Sequence, residues 1–286
     1  MLNKRVDGFL LIDKEEGWTS FDVCKKTKGI CKTGKVGHSG TLDPFATGLL
    51  IVAVNEACKV LPFVSDEPKE YIATLSLGQK TDTGDKTGKI IEQKNIPSIS
   101  KKQINELFDS LIGKQQQIPP MTSAVHVNGV KLYKLAHQGV EVERKPRNIE
   151  IFSLKLLKFK KNIITFSASV SSGTYVRTLG ETIAEKLNTV GHLTSLRRTS
   201  INHISVKKAK KIKKTTVKNI KSINEILPLP KIVVDGKNLN LAINGNPIAL
   251  DCTEETVLVI DPDNKPLGVY HQKDDKIFMC ERGLNL

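Results

Sequence analysis

Apolar residues in this chain gather in runs of strand length, and turn-forming Gly, Asp, Asn and Pro separate them. Residues 8–13 (GFLLID) read as a short buried strand and 49–54 as a second apolar strand. Residues 71–77 (YIATLSL) alternate like a half-buried strand, and 149–159 and 163–170 read as two more, flanking Lys160, Lys161 and Asn162. Helical spacing interrupts this pattern. Thr19 or Ser20 caps a helix carrying Phe21, Val23 and Cys24, and residues 100–111 place Ile104, Leu107, Phe108 and Leu111 on one face. A further helix over 175–187 follows the polar loop 171–174, Asn128-Gly129 marks a tight hairpin, and 81–88 (TDTGDKTG) is dense in turn formers. Strands and helices mixed in this order imply an α+β fold on a mixed or antiparallel sheet.

The tail reads differently. Residues 207–221 hold many lysines and no acid, which reads as a basic linker helix over about 205–222, and Pro228 and Pro230 punctuate a boundary. Beyond it, residues 232–235, 247–250, 256–261, 267–271 and 276–280 are strand-like and joined by turn residues, as in a small β domain. A chain of 286 residues exceeds one typical domain, so the expectation is a body over 1–228 and a small β-rich domain over 229–286.

The net charge of +14 suits a protein that sits against polyphosphate; a Lys-, Asn- and Ile-rich sequence bias gives the same number without any binding role. Five cysteines (Cys24, Cys31, Cys58, Cys252 and Cys280) form no C-x-x-C pair and read as free thiols. The first residues carry Lys4, Arg5 and Asp7 in place of an export signal, and no apolar run reaches the roughly 18 residues of a membrane span. The expected compartment is the cytoplasm.

Four places could carry chemistry. Residues 29–36 (GICKTGKV) approach a phosphate loop, but Val36 stands where Ser or Thr would hold magnesium and a helix precedes where a strand is needed. The loop 37–48 (GHSGTLDPFATG) presents His38 and Asp43 among glycines; Pro44 biases Asp43 to an extended backbone, while an Asp-Pro pair also simply starts turns. In 171–178 (SSGTYVRT), Tyr175 and Arg177 open a helix, and Arg177 could pair with a buried carboxylate or be one more surface cation. Tyr71 could stack on a base or serve as core. His126, His137, His192, His203 and His271 have no metal-ligand spacing.

Six motifs occur in order between residues 8 and 199: GFLLIDKEEGWTS, KVGHSGTLDPFATGLL, YIATLSLGQKTDTGD, IPPMTSAVHVNGVKLYKLAHQGVEVERKPR, SSGTYVRTLGETIAEKL and GHLTSLRRT. In this the chain resembles the TruB family of tRNA pseudouridine synthases, which modify uridine 55 in the TΨC loop. The resemblance implies a pseudouridine synthase catalytic domain with a central cleft, and a small PUA-like RNA-binding domain in the tail. It makes Asp43 the catalytic aspartate, Tyr71 the residue that stacks on the flipped uracil, and Arg177 the ion-pair partner of Asp43. His38, Tyr175 and Leu196 match positions that contact RNA or the target nucleotide, and Lys14 matches the lysine of the N-terminal motif. Glu15 departs from a proline there, and Thr122, Val125 and His126 depart from the Tyr and Leu-Lys of the family's PPxYSALK pattern.

That chemistry involves no net redox change and no energy donor, so neither cofactor nor metal is expected, and the partner is the TΨC stem-loop of tRNA, met by a monomer. Asp43 could attack uracil C6, attack C1′ or remove a sugar proton. Arg177 would keep Asp43 ionised by favouring its charged form. Two other classes compete: an RNA-binding or RNA-folding protein with a vestigial site, and a nucleotide-dependent phosphotransferase resting on residues 29–35.

Overall fold

The computed structural model describes residues 6–65, 68–123, 126–127, 130–132, 140 and 142–286. Strand β1 (Gly8–Lys14) leads through a turn to α1 (Ser20–Cys31). Thr19 caps α1 with a reciprocal Thr19–Asp22 capping box, and Lys32 ends it in the left-handed conformation. Val23 and Cys24 face inward, while Phe21 points out and is 71% exposed. Then come β2 (Val36–His38), β3 (Thr47–Val54), the short α2 (Pro62–Ser65) and β4 (Lys69–Leu77), followed by a hairpin of β5 (Gln79–Thr81) and β6 (Ile90–Gln93). Ser100 and Gln103 form the capping box of α3 (Lys101–Ser110), whose Phe108 meets Phe166 edge-on at 5.8 Å.

Strand β7 (Gly113–Gln117) follows, then β8 (His126–Val127) paired with β9 (Val130–Lys131); Asn128-Gly129, expected to turn here, lie outside the described residues. The hairpin of β10 (Arg147–Lys160) and β11 (Ile163–Val170) turns at Lys161, whose φ of 54° is left-handed. Helix α4 (Val176–Lys186), β12 (Gly191–Ile201) and β13 (Ile204–Ser205) complete the body.

These strands form one nine-stranded sheet of order β1-β3-β12-β4-β11-β10-β7, with β2 on β3 and β13 on β12. Every pairing is antiparallel except β12 on β3, a parallel contact of two residue pairs, Arg197 with Thr47 and Arg198 with Gly48. One edge of β3 is covered by β1 along residues 48–54. The other edge is shared: β2 pairs with residues 52–54 and β12 with 47–48. The loop between β2 and β3, which carries Asp43, therefore leaves the sheet at the seam where its two halves join. Only glycine fits at Gly48: its φ is +107°, and a Cβ there would lie 2.2 Å from the Arg198 carbonyl oxygen.

Among the described residues, three apolar clusters pack the body, and one of them sets Val23 and Cys24 of α1 on Leu10, Ile12, Leu50 and Val52; the other two are larger. One packs Leu42, Phe45 and Tyr71 with α4, β4 and β11, and the other packs Phe9, Leu49 and Ile51 with Ile223 and Ile226.

The basic segment expected as a linker helix is instead three single 3₁₀ turns, Val206–Lys208, Ile212–Lys214 and Val217–Asn219. Its backbone is taken by β1: Lys210 N–H donates to Leu11 O, Asp13 N–H to Lys210 O, and Phe9 and Lys221 exchange both bonds at 2.8 and 2.7 Å. β-Branched Ile212, Thr215, Thr216 and Val217 also disfavour a continuous helix. The backbone of this lysine-rich segment thus pairs with the outer edge of β1 at Lys210 and Lys221.

Helix α5 (Ile223–Ile226) leads into a second sheet, order β14-β16-β17-β18-β15, made of β14 (Lys231–Val233), β15 (Ile248–Ala249), β16 (Thr256–Ile260), β17 (Pro266–Asp274) and β18 (Ile277–Gly283). Helix α6 (Gly236–Ile243), absent from the sequence expectation, crosses between β14 and β15. Leu258, Ile260 and Val269 join the cluster of Phe9, Leu49 and Ile51. Lys59 Nζ donates to Gly283 O and the Asn285 N–H to Glu56 Oε2, so the tail sheet is docked on the body.

Candidate active site

The Asp43 loop is held from several sides. Ser39, fully buried, donates its N–H to Ile51 O at 3.0 Å and accepts from the Ile51 N–H at its hydroxyl. Ser20, at the start of α1, accepts the Leu42 N–H at 2.9 Å. Leu42 and Phe45, 3% and 4% exposed, anchor the loop on both sides of Asp43. Asp43 does start a turn, since the Ala46 N–H donates to its carbonyl at 3.0 Å, and the Gly17 N–H donates to Pro44 O at 2.8 Å. The turn therefore serves to aim the carboxylate.

That carboxylate meets Arg177, which stands in the first turn of α4 and is 3% exposed. Nε lies 2.9 Å from Asp43 Oδ2, and Nη2 donates to Asp43 Oδ1 at 3.1 Å. Nη1 donates to Thr83 O at 2.6 Å and Thr122 Oγ1 at 2.5 Å, and lies 3.6 Å from Asp85 Oδ2. Nη2 also donates to Thr122 O at 3.0 Å. Arg177 is thus a buried hub between two carboxylates.

The start of α4 has no side-chain cap. Gln117 of β7 fills that role, accepting the Tyr175 N–H at 2.8 Å and donating Nε2 to Tyr175 O at 3.1 Å.

Asp43 keeps 29% of its side-chain surface open, whereas Asp85 keeps 6%. Burial raises the Asp43 carboxyl above its usual value; Arg177 opposes the rise and Asp85 adds to it. The guanidinium favours the anion as expected, yet it is shared with Asp85 and two carbonyls, and burial is the larger effect. Asp85 has its own anchors: its Oδ1 accepts from Thr83 Oγ1, the Thr87 N–H and Thr87 Oγ1.

The remaining sequence candidates divide. Tyr71 lies on β4 opposite Arg198 and Ala168, 7% exposed, in the same cluster as Leu42, Phe45 and Leu196. Leu196, 5% exposed, sits opposite Ala73 on that strand pair. Tyr175 is half-buried at the N-cap of α4, and His38 ends β2, its Nδ1 accepting the Gly40 N–H at 3.3 Å. Asp43 and Arg177 thus meet directly, while Tyr71 and Leu196 pack in the cluster that holds Leu42 and Phe45 on either side of Asp43.

Lys14 is placed inside, 1% exposed, with Nζ donating to Trp18 O at 2.6 Å, Glu15 O at 3.2 Å and Pro44 O at 3.3 Å. Burial lowers its pKa to about 8, against the pull of Asp43. Its charge is directed at the chain's own loops rather than at solvent. By pinning Pro44 it supports the backbone beside Asp43.

Sequence reasoning missed Asp85, Thr83, Gln117 and Arg198. Asp85 was read only as a turn former, although an acid amid threonines that bond its own oxygens was a usable signal. Arg198, 1% exposed, donates to Leu49 O at 2.7 Å and Gly40 O at 3.1 Å, stitching β12 to β3 and the Asp43 loop. At the near-match to a phosphate loop, Gly29 lies within α1, so no strand leads into it. Among the described residues, no group of three or more His, Cys, Asp or Glu gathers, and no helix is long and apolar enough to cross a membrane.

Comparison with known proteins bears on this geometry. Residues 28–176 match the model of the N-terminal domain of the TruB family pseudouridylate synthases, a span that includes Asp43, Tyr71, Asp85 and Thr122 and stops one residue before Arg177. The chain is 37% identical over 290 residues to tRNA pseudouridine synthase B of Hydrogenovibrio crunogenus, covering 99% of this chain and 95% of that one. It is 41% identical over 254 residues to the protein of the same name from Syntrophomonas wolfei, covering 85% of each. Among solved structures, one in a Cbf5-Nop10-Gar1 complex superposes with a TM-score of 0.72 at 20% identity, over 94% of this chain and 79% of that one, a likeness of fold. With a family match over half its length and a relative aligned almost end to end, the chain belongs to the TruB family of pseudouridylate synthases.

Proposed function

We propose that this chain isomerises uridine 55 in the TΨC loop of tRNA to pseudouridine, as a cytoplasmic monomer that uses no metal or cofactor. The observation that carries this reading is the Asp43–Arg177 pair: an open carboxylate held by a buried guanidinium at the seam of the sheet, in a chain whose relatives are named tRNA pseudouridine synthase B.

The reaction breaks the bond from C1′ to N1, turns the uracil and joins C1′ to C5; C5 gives up its proton and N1 gains one, so atoms and charge balance. Asp43 is the nucleophile or base. Attack at C6, attack at C1′ and removal of a sugar proton share one need, an ionised carboxylate with an open edge. Arg177 favours the first through its charge, against the burial that opposes it, and the 29% exposure of the Asp43 side chain supplies the second. The target base must leave its stack, at a cost of a few kcal/mol. Tyr71, 7% exposed in the cluster beside the Asp43 loop, would offset it by stacking on the base, and Leu196 would flank it. Tyr175 and His38 would meet the RNA nearby; Lys14 would act by holding the loop.

Residues 1–228 would form the catalytic body and 229–286 a small PUA-like RNA-binding domain. Its five-stranded sheet and the lysines along the edge of β1 suit phosphate contacts. In test, tRNA transcript labelled with tritium at uracil C5 is incubated with protein and a chelator. Release of tritium to water supports the reading, and undiminished release under chelation supports the absence of a metal; properly folded tRNA that releases none overturns it.

A further inference from the structure

A guanidinium presents five N–H donors in one rigid plane, and in Arg177 each has a neighbour. One Nη2 hydrogen goes to Asp43 Oδ1 at 3.1 Å, while Nε lies 2.9 Å from Asp43 Oδ2 as an ion-pair contact without hydrogen-bond alignment. One Nη1 hydrogen goes to Thr83 O at 2.6 Å. The remaining two go to a single residue: Thr122 Oγ1 takes Nη1 at 2.5 Å, and Thr122 O takes Nη2 at 3.0 Å. Thr122 therefore grips the edge of the fork adjacent to the one that meets Asp43.

A second carboxylate makes this grip matter. Asp85 Oδ2 lies 3.6 Å from the same Nη1, so two anions compete for one cation. Asp85 is fixed, because the Thr87 N–H and the Thr83 and Thr87 hydroxyls donate to its other oxygen. If the plane turns, it turns toward Asp85, and that motion withdraws the Nε–Nη2 edge from Asp43. The hydroxyl of Thr122 occupies Nη1 and opposes the turn.

We infer that Thr122 is a positioning residue for the isomerisation: its hydroxyl sets the rotation of the Arg177 guanidinium and so the alignment and ionisation of Asp43. The inference rests on the reading of this chain as a pseudouridine synthase. Thr122 acts from the segment after β7, outside both the Asp43 loop and α4.

The test compares Thr122→Val, which removes the hydroxyl at nearly constant shape, with Thr122→Ser, which keeps it; the backbone carbonyl contact remains in both. Turnover of unmodified tRNA transcript is measured across pH, with a thermal melt of each protein. Loss of one hydrogen bond to a charged group should lower kcat about tenfold in the valine variant. KM should stay within about twofold, the acid limb of the pH profile should move to higher pH, and serine should restore both. A valine variant with parental kcat and pH profile overturns the inference. So do valine and serine variants equally impaired with equally lowered melting points, which mark a merely structural residue. A parent protein that forms no pseudouridine overturns the functional reading and this role with it.

Discussion

Arg177→Met is the perturbation with the largest expected effect, because methionine keeps a buried stem of similar reach and removes all five donors. Two carboxylates then lose their shared cation. Asp85 keeps only 6% of its side chain exposed, and the Thr83 and Thr122 carbonyls lose donors at 2.6 and 3.0 Å. Breaking a buried ion pair by removing one partner costs about 3–5 kcal/mol. For a protein of this size each kcal/mol shifts the melting point by about 2–4 °C, so the midpoint should fall by roughly 6–20 °C at neutral pH.

The sign of the pH dependence is fixed as well. Without Arg177 the folded-state Asp43 carboxyl rises further above its unfolded value, so its penalty is full above the folded pKa and fades as pH falls through it. The defect measured by calorimetry should therefore shrink on acidification. A midpoint unchanged at neutral pH, or a defect that grows toward acid, would refute the reasoning.

Three further outcomes follow from the same geometry. Gly48→Ala puts a Cβ 2.2 Å from Arg198 O at a φ of +107°, so the β3–β12 seam must part; a loss of at least about 3 kcal/mol is expected in denaturant melts, and parental stability would contradict the close approach. Lys14→Met removes an ammonium shared by three carbonyls and should cost about 1.5–3 kcal/mol. It should also slow turnover more than it weakens tRNA binding in filter assays, since Pro44 loses its anchor; a purely binding defect would contradict the inward placement. Because burial raises the Asp43 carboxyl and its anion is the active form, kcat/KM should rise with pH through a limb centred above the ordinary value of 3.8; a limb at or below it would contradict the burial.

Elements whose own residues carry a period were legible in the sequence. Strands β1, β3, β4 and β11 and helices α1, α3 and α4 stand close to where alternation and capping residues put them. Strand β12 was not, because its inward side includes Arg198, made tolerable only by carbonyls of Leu49 and Gly40 that lie far away in sequence. Strand β7 (GKQQQ) has no apolar signal, and its buried Gln117 acts through the Tyr175 peptide. The lysine-rich segment after β13 misled because the edge of β1 captured its backbone. At the site, Asp43 and Arg177 could each be named from their motifs, but 134 residues separate them, and only the fold joins them. Asp85 and Thr122 matter through the guanidinium they share, and single motifs do not record a shared partner.

The most direct measurement is carbodiimide mapping of pseudouridine in unmodified tRNA transcript after incubation with the protein, with Asp43→Asn in parallel. The expected result is a single modified uridine in the TΨC loop, absent with the asparagine variant, which still binds the tRNA. Modification that persists in the variant would remove Asp43 from the chemistry, and no modification by the parent protein would leave an RNA-binding protein in place of an isomerase.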